Sequence, residues 1–470
     1  MQRRHLLKTK IRKLVSEFEE RTHSETLTYF DEKELIEIIS FYEREQLLHK
    51  AIDAVDIALT QYEYRIEFYL LKARLLLKDK DYSNALSLLE RAEAISPIEM
   101  DIQLMKARTL NSMGLPLRSL EILESLRARN SKSEWVEIML VEALVYEQLK
   151  DYDSMFDIMK DTLKMAPSRK EALERMWMAV EFSKKYEESV HFHAQLIEND
   201  PYNAYAWYNL GHAHACLGDY EEAIEALEYS FLIEENFEMG YKDCAELCMQ
   251  TCKFKKALDI YLDELKKFGP DSDILASIGE CFIKIDGYAN ARKYLSQAVK
   301  LDPYNDEVYY LLAQCYATQE KWDTAIDFYQ KALDIEDRRE EYFAGIANAY
   351  SQVGEITKAD YFYRKATEAG PEQMQYWLDH ANFLFDIEVY SEAINVLEEA
   401  EYHTVGVELL YCKAACLFRS DQKKEALVVL EDALREDVTQ QELLYQYADE
   451  LRELPEVQSM IDYFIGEIPL

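Results

Sequence analysis

A period of 34 residues constrains this chain more than any other feature in it. Units that begin at residues 32, 66, 100, 136, 170, 204, 238, 272, 306, 340, 374 and 407 keep the same residue classes in the same places. Nine of the eleven spacings are 34; the others are 36 (100 to 136) and 33 (374 to 407). A fixed period of this length marks an array, in which each unit buries its apolar face against its neighbours.

The columns say what each unit is. Position 8 is Ala or Gly in ten of twelve units: Ala73, Ala107, Ala143, Gly211, Ala245, Gly279, Ala313, Ala347, Ala381 and Ala414. Position 20 is Ala or Ser in eleven, Met155 being the exception. Position 17 is aromatic in eight, and position 32 is proline in five (Pro97, Pro167, Pro201, Pro303 and Pro371). Positions 4, 7, 8 and 11 follow helical spacing, as do 20, 24 and 27. Breaker residues near 15 and 16, as in "LGDYEEA" and "IDGYANA", separate the two runs. Each unit therefore reads as two antiparallel helices whose small residues let the axes approach. The aromatic at 17 fills the space beside them, and proline at 32 ends the second helix. The fold class is all-α.

The pattern resembles the tetratricopeptide repeat, best matched by Trp207, Leu210, Gly211, Tyr220, Ala223 and Leu227, with Pro201 just before them. That resemblance implies a right-handed superhelical α-solenoid of about twelve helix pairs. It also implies a concave groove lined by the first helix of each unit, and a protein or peptide ligand within it. We expect an N-terminal helical cap at 1–31, a continuous array at 32–440 and capping helices at 441–470, where Pro455 opens the last helix. Unit five departs from the pattern, with Trp177 at the small position and Val180 and His193 at two others. Its helices are predicted to splay. The two extra residues before unit four are predicted to lie in the loop "RARNSKSE".

Composition narrows the function. The balance is 53 Lys+Arg against 90 Asp+Glu, a formal charge of −37. Such an acidic protein repels phosphate backbones and anionic lipid, so nucleic acid is not an expected partner; the charge serves either the solubility of a long, thin chain or the selection of a cationic protein partner. The eight cysteines form no CxxC pair and read as reduced thiols. The basic start "MQRRHLLKTKIRKL" lacks the apolar core of a signal peptide, and no run of 18 apolar residues offers a membrane span. These features suggest the cytoplasm, which we take as bacterial. The six Lys/Arg of the first 13 residues are expected to fold back on the acidic body, with contact to a membrane or nucleic acid as the alternative.

Residues 211–216, "GHAHAC", tempt a metal reading. A helix turns about 100° per residue, so His212 and His214 face opposite ways. His212 and Cys216 share a face, and Glu246 of the next unit could add a third ligand, but a zinc site wants more. His212 reads as a groove residue and His214 as a packed one. Cys244, Cys248 and Cys252 stand in a helical stripe and read as buried thiols. No phosphate loop, HExxH or G-x-S-x-G motif occurs. We expect no enzyme activity, metal or cofactor.

Position 9 faces the implied groove. It runs Ser40, Arg74, Arg108, Leu144, Met178, His212, Glu246, Glu280, Gln314, Asn348, Asn382 and Ala415. Lys78 supports the basic start of the row, and position 5 adds Tyr208, Tyr310 and Tyr411. The predicted groove residues are thus Arg74, Lys78, Arg108, Tyr208, His212, Glu246, Glu280, Tyr310, Asn348 and Asn382. No three consecutive units supply the Lys/Asn clamp of chaperone-binding relatives, and Asn209 alone fits an asparagine ladder at position 6. The chain reads as a non-catalytic interaction scaffold, with a self-assembling homo-oligomer as the alternative.

Overall fold

The computed structural model describes residues 2–23 and 29–466, with side chains from 11 to 22 and from 29 onward. Every regular element among the described residues is a helix. Packing divides the chain into two units, 1–240 and 241–470.

The first unit opens with α1 (Gln2–His23), α2 (Glu32–Arg44), α3 (Leu48–Gln61), α4 (Ile66–Lys78) and α5 (Tyr82–Ile95). It continues through α6 (Met100–Ser112), α7 (Pro116–Arg129), α8 (Trp135–Leu149) and α9 (Tyr152–Met165). It closes with α10 (Lys170–Ser183), α11 (Tyr186–Asn199), α12 (Ala204–Leu217) and α13 (Tyr220–Ile233). The boundary falls inside α14 (Glu238–Gln250). The second unit holds α15 (Phe254–Phe268), α16 (Ser272–Lys284), α17 (Tyr288–Leu301), α18 (Asp306–Ala317) and α19 (Trp322–Ile335). Then come α20 (Glu340–Gln352), α21 (Ile356–Ala369), α22 (Met374–Asp386), α23 (Tyr390–Ala400), α24 (Val407–Arg419) and α25 (Lys423–Asp437). Last are α26 (Glu442–Tyr447) and α27 (Pro455–Gly466). Each unit is an α-solenoid of tetratricopeptide type, in which helix hairpins stack on their neighbours in chain order.

The small columns carry the hairpin contact. The alanines at positions 8 and 20 are buried almost without exposure. A Cβ on Gly211 would lie 2.7 Å from Leu227 Cγ and 3.0 Å from the Ala223 carbonyl oxygen. One on Gly279 would lie 2.5 Å from Leu295 Cδ2. These distances are below contact, so a larger side chain would push the helices apart.

The turns share one backbone device. Gln46, Lys80, Gly114, Lys150, Lys184, Gly218, Cys252, Asp286, Glu320, Gly354, Glu388 and Asp421 all have φ between 57° and 85°. Each stands at position 15, two residues before the second helix begins. A left-handed residue there reverses the chain within two or three residues and lets backbone N–H groups bond the last carbonyls of the first helix, as Lys150 N–H does to Glu147 O at 3.1 Å.

Irregularities fall where the pattern breaks. In unit five α10 scarcely packs on α11; α12 rests on both instead. Trp177 is half-buried, its ring edge-on to His212 at 5.8 Å. The extra residues before α8 form a 3-10 turn, Lys132–Glu134, opened by a capping box of Ser131 and Glu134. The segment after α25 is not one helix. A break at Ala448 separates α26 from a 3-10 turn, Asp449–Glu453, so that Leu444, Ala448 and Leu451 are all buried. The cysteine stripe also ends early. α14 stops at Gln250, and Cys252 is exposed in the turn while Cys244 and Cys248 are buried.

Candidate functional site: two grooves on the first-helix faces

In each unit, faces of some first helices line a groove. Two grooves on these faces gather several of the expected residues.

In the first unit, Arg74 and Lys78 converge on one carboxylate. Arg74 Nη2 lies 2.9 Å from Glu43 Oε2, and Lys78 Nζ lies 2.6 Å from Glu43 Oε1. Burial raises the Glu43 carboxyl, but the two cations outweigh it and hold it below its ordinary range. Arg108, Leu144 and Met178 come together in a groove of about 790 Å³ on α6, α8 and α10. Phe182, one turn beyond Met178, is 55% exposed and stacks on Tyr152 at 4.7 Å.

His212 and Tyr208 lie outside that groove. Tyr208 is buried and packs against Phe237 at 5.3 Å, so it stands behind the row. His212 is half-buried, with Glu181 Oε2 and Cys216 Sγ each 3.8 Å from Nε2. Burial, then Glu181, pushes the Cys216 thiol up and keeps it protonated. His214 is half-buried and bonds Asp219 at 3.2 Å. Asn209 is fully buried and donates to the Leu173 carbonyl of α10 at 3.0 Å.

In the second unit, Tyr310, Asn348 and Asn382 line one groove of about 420 Å³ on α18, α20 and α22. Its charged lining groups are Glu341, Asp379 and Asp386, all carboxylates. Burial raises the Asp379 carboxyl, against a 2.7 Å hydrogen bond from Gln375 that favours its charge. Arg339 reaches Glu341 at 3.7 Å from outside the lining. Tyr447 donates to Asn382 Oδ1 at 2.8 Å, which leaves the Asn382 N–H donors for the groove. Asn348 has no side-chain partner among the described residues. At Gly345 a Cβ would lie 2.6 Å from the Tyr329 ring, so glycine keeps the floor open.

Glu246 and Glu280 belong to this unit but not to that groove. Glu246 is exposed beside Lys242 at 3.9 Å, and Glu280 is half-buried. Burial raises both carboxyls; Lys242 and Lys284 respectively oppose it. Tyr411 is fully buried and donates to the Asp437 carbonyl at 2.9 Å. A single column missed Glu341, Asp379 and Asp386, which stand at positions 2, 6 and 13. Reading those positions along with 9 and 5 would have found them.

Among the described residues no cluster of three His, Cys, Asp or Glu has the geometry to hold a metal ion. No described helix is long and apolar enough to cross a membrane.

A family profile described as the C-terminal domain of cilia and flagella-associated protein 70, of tetratricopeptide type, matches residues 164–408, just over half of the sequence. The chain belongs to this family. In the cilia and flagella-associated protein 70 domain, then, the matched stretch takes in α10 to α23 and with them the whole acidic groove. The family name speaks of cilia and flagella, not of a bacterial cytoplasm. No curated protein matches the sequence. Similar solved structures include YrrB, "a TPR protein with an unusual peptide-binding site", at 18% identity over 39% of this chain and 95% of that one, with a TM-score of 0.33. The Cut9–Hcn1 assembly of the APC/C is 12% identical over 84% and 96%, with a TM-score of 0.39. MamA is 20% identical over 37% and 94%, with a TM-score of 0.33.

Proposed function

We propose that the chain is a non-catalytic interaction scaffold that holds a cationic, extended protein segment in the groove of α18, α20 and α22. The observation that carries this reading is the groove's lining. Its charged groups are carboxylates, set among side-chain amides (Asn348, Gln352, Asn382) and tyrosines (Tyr310, Tyr376). Amides suit the N–H and C=O groups of an extended backbone, tyrosines offer anchoring surface, and the carboxylates select lysine or arginine. Desolvated Asp379 regains its favourable ionised state when a cation pairs with it.

The test is fluorescence anisotropy with a short lysine- and arginine-containing peptide, beside a version with glutamate at the basic positions. The basic peptide should bind the full chain, and Asp379→Asn with Asp386→Asn should weaken it about tenfold or more, roughly 1.4 kcal/mol. Equal binding of both peptides, or no response to the double variant, would reject the reading. The first 13 residues carry six Lys/Arg, so a second copy is a candidate donor of the cationic segment. Light scattering of wild type against the same double variant separates self-association from capture of another protein.

A further inference from the structure

The groove of α6, α8 and α10 has the opposite chemistry. Its floor is apolar: Leu77, Val141, Leu144, Met178 and the exposed ring of Phe182. Its charged lining groups are Arg108, Lys150, Arg175 and Glu147. Arg175 and Glu147 neutralise each other at 2.6 Å. That leaves Arg108 and Lys150. Both are exposed, and among the described residues neither side chain has an ion pair or hydrogen bond. In a chain with 90 carboxylates to 53 cations, these two stand without a carboxylate and beside an apolar floor. The neighbouring basic pair, Arg74 and Lys78, differs, with both held by Glu43.

We infer that this groove docks a short amphipathic segment of a partner protein, with apolar side chains over Leu144, Met178 and Phe182 and carboxylates on Arg108 and Lys150. Charge complementarity selects that occupant. A long polyanion such as nucleic acid or an anionic membrane meets repulsion from the −37 body beyond the groove, whereas one or two carboxylates meet the local cations alone. The apolar floor supplies the burial that a charge contact at a solvent-exposed rim lacks. This site does not depend on the acidic groove, and its partner is of opposite charge.

The experiment uses the full chain and two labelled synthetic peptides. One has leucine and phenylalanine at helical i, i+3, i+4 spacing with glutamates between them; the other has lysine in place of glutamate. The acidic peptide should bind, more weakly as salt rises. Arg108→Glu with Lys150→Glu should weaken it at least about tenfold, and Phe182→Ala by a similar factor. Asp379→Asn with Asp386→Asn should leave it unchanged. The Arg108 and Lys150 side chains hold no ion pair or hydrogen bond among the described residues, so circular dichroism and the melting temperature of that variant should stay as in wild type. Four results would overturn the inference: binding by neither peptide, equal binding of the lysine peptide, insensitivity to the charge reversals, or loss through the Asp379/Asp386 variant instead. Binding to anionic vesicles in place of the acidic peptide would overturn it too.

Discussion

His193 shows how one side chain ties the fold to pH. It sits on α11 with no exposure, and the Ser189 carbonyl lies 2.9 Å from Nδ1, so that nitrogen carries the proton and donates. Nε2 is buried without a partner. Burial, against the Ser189 contact, lowers its pKa from 6.5 to about 4. The unfolded chain takes up a proton near pH 6.5 that the folded chain refuses until about pH 4. Stability is therefore full above pH 6.5 and falls as the pH drops through this window, by about 1.4 kcal/mol per unit. Urea unfolding from pH 7 to pH 4 should show it, and His193→Leu should flatten that part of the curve. A parallel curve for the variant would assign the loss elsewhere, with His380 of α22 the next candidate, since it too is buried and burial lowers its pKa against the contact with Asp360 at 2.9 Å. Residue-scale legibility was mixed. The sequence placed Arg74 and Arg108 in one column as equals. Glu43, 31 residues before Arg74, neutralises that arginine, and no such carboxylate reaches Arg108. A pairing of this kind runs between units, so no single column displays it.

At the level of the helix, the period carried most of the information. The small columns, the breaker cluster and the aromatic that opens the second helix set the hairpins, and the helices begin and end close to those marks. The C-terminal break at Ala448 was not legible. "QELLYQYADELRE" has the composition of a helix, and the bend comes from burying Leu444 and Leu451 on one core. The turns permit a sharper test. Lys80 has φ 62°, which crowds its Cβ, while Gly218 at the same position has φ 85° and none to crowd. Lys80→Gly should raise stability by about 0.5–1 kcal/mol, and Gly218→Ala should lower it by about 1 kcal/mol. Denaturant midpoints at constant slope would measure both. If the two substitutions shift the midpoint in the same direction, the turn strain is not what governs these positions.

For the chain as a whole, charge and modularity decide how it melts. The excess of carboxylates repels itself, and salt screens exposed groups more than buried packing. Scanning calorimetry should show the main transition move up by a few degrees, about 2–5 °C, between roughly 10 and 150 mM salt. Two compact units built from neighbour-to-neighbour contacts should also give a transition broader than a single two-state event. A sharp two-state peak that ignores salt would contradict both arguments.

Nine of the twelve bends are made without glycine, and seven of them bear a charge. The backbone there asks only for a left-handed conformation and is indifferent to what the side chain displays. Lys150 can thus serve as hinge and as rim cation at once, and a swap to aspartate would recolour the surface while the hairpin stays as it was. A stack built this way keeps a dozen places where recognition can be rewritten without touching the interior.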